Sequence, residues 1–261
     1  MATGVRFARE DAVWEGTFDG LGSVRVHPGG ALDITVEGAD TLDPDELGQR
    51  TAALRWGWGE PLAWARRGCS VTVGTAMVAP GRRGALVVRG VVHDTAIVVA
   101  GLAGRGWHVL ADRVVPLRWS DAAAEVQPTD APVLLARRRA EAMGLSGVAV
   151  RADTDALAVE VPRWSTPEPF VGSVEIVMRR VGRELFELLE GHERFEAASR
   201  LVAGGALAPD GDPLTPSERM ARDLRLAGLD FARAHLDADD PDDVLDAVEA
   251  WWLGGGEGSA S

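Results

Sequence analysis

Gly84-Ala85-Leu86-Val87-Val88-Arg89-Gly90 runs into Val91-Val92-His93-Asp94-Thr95-Ala96-Ile97-Val98-Val99-Ala100-Gly101-Leu102-Ala103-Gly104-Arg105-Gly106 and then into Trp107-His108-Val109-Leu110-Ala111. The first run reads as a buried strand closing on Gly, the second as a turn and an apolar helix, and the third as another strand. That is the order of a phosphate-binding-loop unit. Such a loop needs several glycines so that successive backbone N–H groups wrap a phosphate, a Lys for the terminal phosphates, and a Ser or Thr for the metal. Here the turn offers one Gly and two valines. The whole chain has no Lys, so all 27 basic side chains are arginines. The stretch speaks for an α/β fold more than for an activity.

Its surroundings add to that reading. Ser70 to Ala79 and Ala85 to Arg89 are β-rich and are separated by Pro80-Gly81-Arg82-Arg83-Gly84, a turn by composition. The segment from Ala63-Trp64-Ala65-Arg66-Arg67-Gly68-Cys69-Ser70-Val71-Thr72-Val73-Gly74 to Leu110-Ala111-Asp112-Arg113-Val114-Val115-Pro116-Leu117 resembles the core of the HPr serine kinase/phosphorylase family. In that family a strand carries a His-Ala-Ser-Ala-Val type run, a short turn leads to the phosphate-loop strand, and a later strand ends in Ser-Asp-Asp-Val-Val-Pro-Leu. The resemblance implies an α/β core of the HPr kinase and phosphoenolpyruvate carboxykinase type, with a small N-terminal β element and C-terminal helices. It places Gly74 at the family's His, Thr95 or Ala96 at its Lys, and Arg113 at the second Asp, and it keeps Asp112 alone. An Arg beside that Asp competes with Mg²⁺ for the carboxylate. The resemblance therefore implies a degenerate member in which protein kinase activity is not expected and no cofactor is called for.

At 261 residues with 46% hydrophobic content, the chain is long enough for one large α/β domain or two small ones. No apolar run approaches the roughly 20 residues that span a bilayer, and no basic segment with an apolar core opens the chain. One cysteine, Cys69, fits a reducing compartment, and the expected location is cytoplasmic. A formal net charge of −13 speaks against nonspecific nucleic-acid or anionic-membrane binding. Oligomeric state is not legible.

Strand alternation at Ser23-Val24-Arg25-Val26-His27 and Ala31-Leu32-Asp33-Ile34-Thr35-Val36, around Pro28-Gly29-Gly30, predicts a small antiparallel element within residues 1–40. Residues 41–253 are read as the core with C-terminal helices, and 254–261 as a flexible tail. Asp43-Pro44-Asp45-Glu46 predicts a helix ending at Gly57 or Gly59. A short strand is expected at Val114 to Leu117, a surface connection at Asp121 to Ala131, and strands at Ala156 to Val161 and Ser173 to Val181. Leu185 to Val202 reads as helical. Thr215-Pro216-Ser217-Glu218 opens a helix expected to reach Ala234, and Asp240-Pro241-Asp242-Asp243 opens a last one.

His93 and Asp94 sit where the phosphate loop belongs, either as an acid/base pair or with Asp94 capping the helix. His108 and Asp112 are four apart on a strand and share one side if the strand is regular; Asp112 could equally be a strand-end partner of Arg113 or Arg118. His27, His192 and His235 lack metal-ligand spacing, and no metal site is expected. Trp56, Trp58 and Trp64, and Trp252 beside Trp251, fit either a partner surface or packing.

Three functional readings follow. The first is a binding or scaffolding accessory for a protein or peptide partner, as the resemblance implies, within a biosynthetic pathway. The second is a repurposed metal-free acid/base enzyme using His93, Asp94, His108 and Asp112. The third is nucleotide binding without turnover, with Arg89 and Arg105 turned into the loop.

Overall fold

Alternating apolar residues near the N-terminus build an antiparallel meander of four strands in sequence order: β1 (Val5–Glu10), β2 (Val13–Phe18), β3 (Gly22–Val26) and β4 (Leu32–Val36). The sequence pattern pointed to the last two; the first two complete the sheet. The computed structural model describes residues 5–10, 12–120, 123–149, 156–178, 184–201, 215–237 and 240–254. Trp14, Phe18, Val24, Val26 and Val36 pack from the meander onto Leu54, Leu62 and Ala63 of the helical segment that follows.

That segment starts as expected and ends later. The Asp43 carboxylate accepts from the Glu46 N–H at 2.8 Å, and Pro44 takes the first turn of α1 (Pro44–Leu54). Gly57 and Gly59 do not stop the helix. It passes through a π turn, Arg55–Gly59, into α2 (Glu60–Arg66). In a uniform α-helix the Pro61 ring would collide with the carbonyl four residues back, and that bond has no donor. One widened turn relieves the clash, and the Glu60 N–H donates to the Arg55 carbonyl five residues back.

The remaining elements are β5 (Ser70–Val78), β6 (Ala85–Gly90), α3 (Val92–Gly104), β7 (His108–Trp119), β8 (Ala124–Val126), β9 (Val133–Ala136), α4 (Arg137–Ala142), β10 (Gly147–Ala149), β11 (Ala156–Val159), β12 (Glu168–Met178), β13 (Phe186–Leu188), α5 (Gly191–Leu201), α6 (Pro216–Ala227), β14 (Asp230–Leu236) and α7 (Asp242–Gly254). Seven strands form the central sheet in the order β13-β14-β12-β6-β5-β7-β8. Strands β14, β12 and β6 are parallel, and β5 is antiparallel to both β6 and β7. One face packs Leu86, Val88 and Ile176 against Val98, Leu102, Val244, Val248 and Trp252 of α3 and α7. The other packs Val87, Leu110, Val115 and Phe170 against Ala198, Leu201 and Leu226 of α5 and α6. Strands β10, β11 and β9 form a separate small sheet.

Several local expectations are corrected. The two strands expected from Trp107 to Leu117 are one continuous strand, β7. The stretch expected as a surface connection contains β8, which pairs with both β7 and β12, and Ala124, Val126 and Ala131 are buried; residues 121 and 122 lie outside the described residues. Helix α6 stops at Ala227, and Asp230–Leu236 is a strand, because burial on both faces of the sheet suits the compact Ala232 and Ala234 beside Phe231 and Leu236. Phe186–Leu188 is a strand rather than the start of a helix. The expected residues 179–181, Val202 and the tail from 255 lie outside the described residues.

Candidate binding cleft

At the C-terminal end of β6, Gly90 passes through Val91 directly into α3, so a single extended residue joins strand to helix. Gly90 has φ +144°, and a Cβ there would stand 2.2 Å from the Ile176 carbonyl oxygen on β12. The join is thus packed against its neighbour and has none of the length that cradles a phosphate. Val91, not Asp94, is the helix N-cap, and its carbonyl accepts from the Asp94 and Thr95 N–H groups at 3.0 Å each. Asp94 lies in the first turn of α3 and is half-buried. The backbone of His93 is in the same turn, while its side chain lies outside the described residues.

His108 and Asp112 do not share a face. The pairing of β5 with β7 is regular from Ser70↔Leu117 to Ala76↔Ala111, then skips Leu110 to reach Met77↔Val109. Leu110 and Ala111 accordingly both face the α5 and α6 side, while Val109 faces α3. A bulge of this kind inverts the two-residue alternation. His108 is left at the far end of the sheet, edge-on to Trp164 with ring centroids 5.6 Å apart, beside Arg82 and Glu168. Asp112 is buried mid-strand. The Thr75 hydroxyl donates to its Oδ1, and Arg113 Nε stands 3.9 Å from its Oδ2. Burial pushes the Asp112 carboxyl above its usual range, against the opposing pull of the Thr75 hydrogen bond and of Arg113 and Arg163.

Arg113 takes the position beside the sheet ends instead. It sits at φ +61°, a conformation that costs a non-glycine residue energy and is found where a side chain must be aimed. Its cross-strand partner is Gly74, where a Cβ would meet the Val88 carbonyl oxygen at 2.7 Å, so a His does not fit at that position without moving β6.

Arg113 helps to line a cleft of about 1290 Å³ at the C-terminal ends of β6 and β12. Ligands of open α/β sheets collect at such strand ends. Ala52, Ala53, Trp56, Gly57 and Pro61 form one wall, so the π turn faces the cleft, and Arg200 and Leu201 close the opposite side. Arg89 contributes from the end of β6. Its guanidinium donates to the Ala197 carbonyl at 3.3 Å, and burial lowers its pKa, with nearby Glu175 opposing that shift. Glu175 is itself bonded to Arg233 at 3.2 Å. Around these charges lie Val73, Val91 and Met178, which are 68%, 63% and 54% exposed. Large apolar side chains left in water around a concavity mark a surface that covers or is covered by something.

The other expected residues are spread out. Trp58 is half-buried and stacks on Phe18 with centroids 4.9 Å apart, within the N-terminal core. Trp64 is half-buried under the Arg67 guanidinium. Trp252 is 1% exposed in the main core and packs under Arg82, so it offers no surface to a partner. Only Trp56 of the four lines the cleft. Arg105, expected beside Arg89, stands at the other end of α3, bonded to Asp242, Asp246 and Glu249. Sequence reasoning passed over Arg200 and read Arg113 as a lost Asp and a partner of Asp112, not as a cleft residue. The available signal was an Arg just before the terminal Gly of β6 and another on β7, one strand further on beyond β5. Among the described residues no three His, Cys, Asp or Glu side chains are grouped to hold a metal ion, and no helix is long and apolar enough to cross a membrane.

No family model matches the chain, and no curated protein matches it. Among solved structures, it is similar to the Hpr(Ser) kinase/phosphatase from Coxiella burnetii, with 10% identity, a TM-score of 0.35, and coverage of 71% of this chain and 97% of that one. At this level the paths of the two chains differ too much for any residue to be carried across.

Proposed function

We propose that this protein is a degenerate HPr kinase-like accessory that binds a peptide or small-protein partner in its cleft and does not itself transfer phosphate. The observation that carries this reading is the cleft's make-up. Apolar side chains stay exposed around Arg89, Arg113 and Arg200, at a strand-to-helix join that lacks a phosphate loop. Acid/base catalysis by His93, Asp94, His108 and Asp112 needs at least two of those groups near one atom. His108 and Asp112 lie on opposite faces of the bulged strand, so that pair does not meet the need.

The test is a photo-crosslinking side chain at position 73, introduced in the native cell and followed by mass spectrometry of the adducts. A protein or peptide adduct from that position, absent when the crosslinker stands at exposed Leu253, is the expected result. Nucleotide adducts alone, or Mg²⁺-dependent phosphorylation of a protein serine by the purified chain, would overturn the reading.

A further inference from the structure

Among the described residues the charged side chains lining the cleft are Arg89, Arg113, Arg200 and Glu175, three cations to one carboxylate, in a chain with 40 acidic residues against 27 basic ones. That local excess runs against the whole-chain balance. The single carboxylate is shared with Arg233, so it does not neutralise the cleft. Arg200 is paired with Glu196 on its own helix, whereas Arg89 donates to a backbone carbonyl at 3.3 Å and Arg113 has, among the described residues, the Asp112 carboxylate at 3.9 Å. A guanidinium presents several donors in a planar fork whose best complement is a carboxylate held bidentately.

From these observations, and resting on the binding reading above, we infer that the cleft seats an acidic, aliphatic peptide segment, its carboxylates on Arg89 and Arg113 and its aliphatic side chains on Val73, Val91 and Met178. At about 1290 Å³ the cleft exceeds the roughly 300–1,000 Å³ of small-ligand sites and has room for a stretch of chain. An extended segment alternates its side chains between two faces, which matches a site with a cationic floor and an aliphatic rim. A nucleotide fits the same charge poorly, because its phosphates need the convergent backbone N–H groups that a one-residue join does not provide.

The experiment titrates the full-length protein, by fluorescence anisotropy at low salt, with three capped and dye-labelled peptides: alternating Leu-Glu, alternating Leu-Gln and alternating Ser-Glu. The Leu-Glu peptide is expected to bind about tenfold or more tighter than either relative, since hydrogen bonds to charged groups and aliphatic burial each carry at least that ratio. Arg113→Gln and Arg89→Gln should each weaken it by about tenfold, and Met178→Asp should do the same by placing a like charge on the rim. Arg83→Gln, exposed at the opposite end of the sheet, should leave it unchanged. Equal affinity for Leu-Glu and Leu-Gln would sink the carboxylate inference and leave the cleft as a binding surface. Crosslinks from position 73 only to residues 202–214 of the same chain, with no peptide bound, would overturn both. Met178 is 54% exposed, so its variant keeps the test open if an arginine variant fails to fold.

Discussion

The two ends of α3 hold arginines in opposite company. At the C-terminal end, Arg105 donates to Asp246 at 2.6 Å, Glu249 at 2.9 Å and Asp242 at 3.1 Å, and its pKa is raised by those three hydrogen bonds against the cost of burial. Trp107 Nε1 donates to the same Glu249, so this end is a closed polar network pinning α7 to the sheet. At the N-terminal end, Arg89, Arg113 and Arg200 share a cleft with one carboxylate among the described residues, and the apolar side chains around them are left in water. The contrast separates two uses of one residue type. A cation held by three carboxylates holds the fold, and cations in looser company, with a carbonyl at 3.3 Å for Arg89 and a carboxylate at 3.9 Å for Arg113, are available to something outside it.

Substitutions at either end break or sharpen this contrast. The largest effect is expected from Trp252→Ala beneath the Arg105 end, a loss of about 3–5 kcal/mol in urea unfolding, because a fully buried indole leaves a cavity. Peptide affinity per folded molecule should not change. If affinity falls while stability holds, the placement of Trp252 in the core is wrong. Next is Gly90→Ala at the cleft end, expected to cost about 2 kcal/mol, since its Cβ would stand 2.2 Å from the Ile176 carbonyl and the oxygen is backbone. A neutral result there would mean that the strand-to-helix join has slack enough for a loop.

Arg105→Ala should cost about 1 kcal/mol, a modest loss because its partners Asp242 and Asp246 are mostly exposed, and the loss should shrink in high salt. Between the ends, Asp112 gives a pH signature. Its pKa is raised in the folded state above the ordinary 3.8, so the folded chain holds a proton that the unfolded chain releases. Stability from this group is therefore present below 3.8 and is lost as pH rises through the folded-state value. Asp112→Asn should flatten that slope in a pH series of chemical denaturations and leave the most acidic points unchanged. A slope that persists in the variant assigns it to another group. The smallest expected effect is none. Millimolar ATP with Mg²⁺ should not shift the melting temperature, since a ligand that does not bind the folded state cannot stabilise it.

How much of this was legible in the sequence depends on the length scale of each signal. Strand, helix and the start of the next strand from Ala85 to Ala111 could be read from apolar runs and punctuation, and the caps at Asp43 and Thr215 from their side-chain chemistry. The end of β14 could not. Phe231 to Leu236 is apolar at both spacings, and only its pairing with β12 decides for a strand. Nor could the relation of His108 to Asp112, because the bulge at Leu110 leaves no mark in the sequence and a single unpaired residue inverts the count. The cleft charges were hidden for a related reason. Arg89, Arg113 and Arg200 come from β6, β7 and α5, and no local pattern spans them.

The π turn at Arg55–Gly59 carries one more consequence, which concerns inheritance rather than energy. A widened turn is the trace of one residue too many in a helix, absorbed locally instead of being passed down its length. Losing one codon between Arg55 and Gly59 would restore the ordinary winding with the flanking turns still in phase, and would bring the Pro61 ring back against the carbonyl four residues before it. Leu54 and Leu62, on either side of the turn, would both keep facing the N-terminal core. The extra residue and the proline are thus tied to each other, and a lineage that loses the one should also have replaced the other.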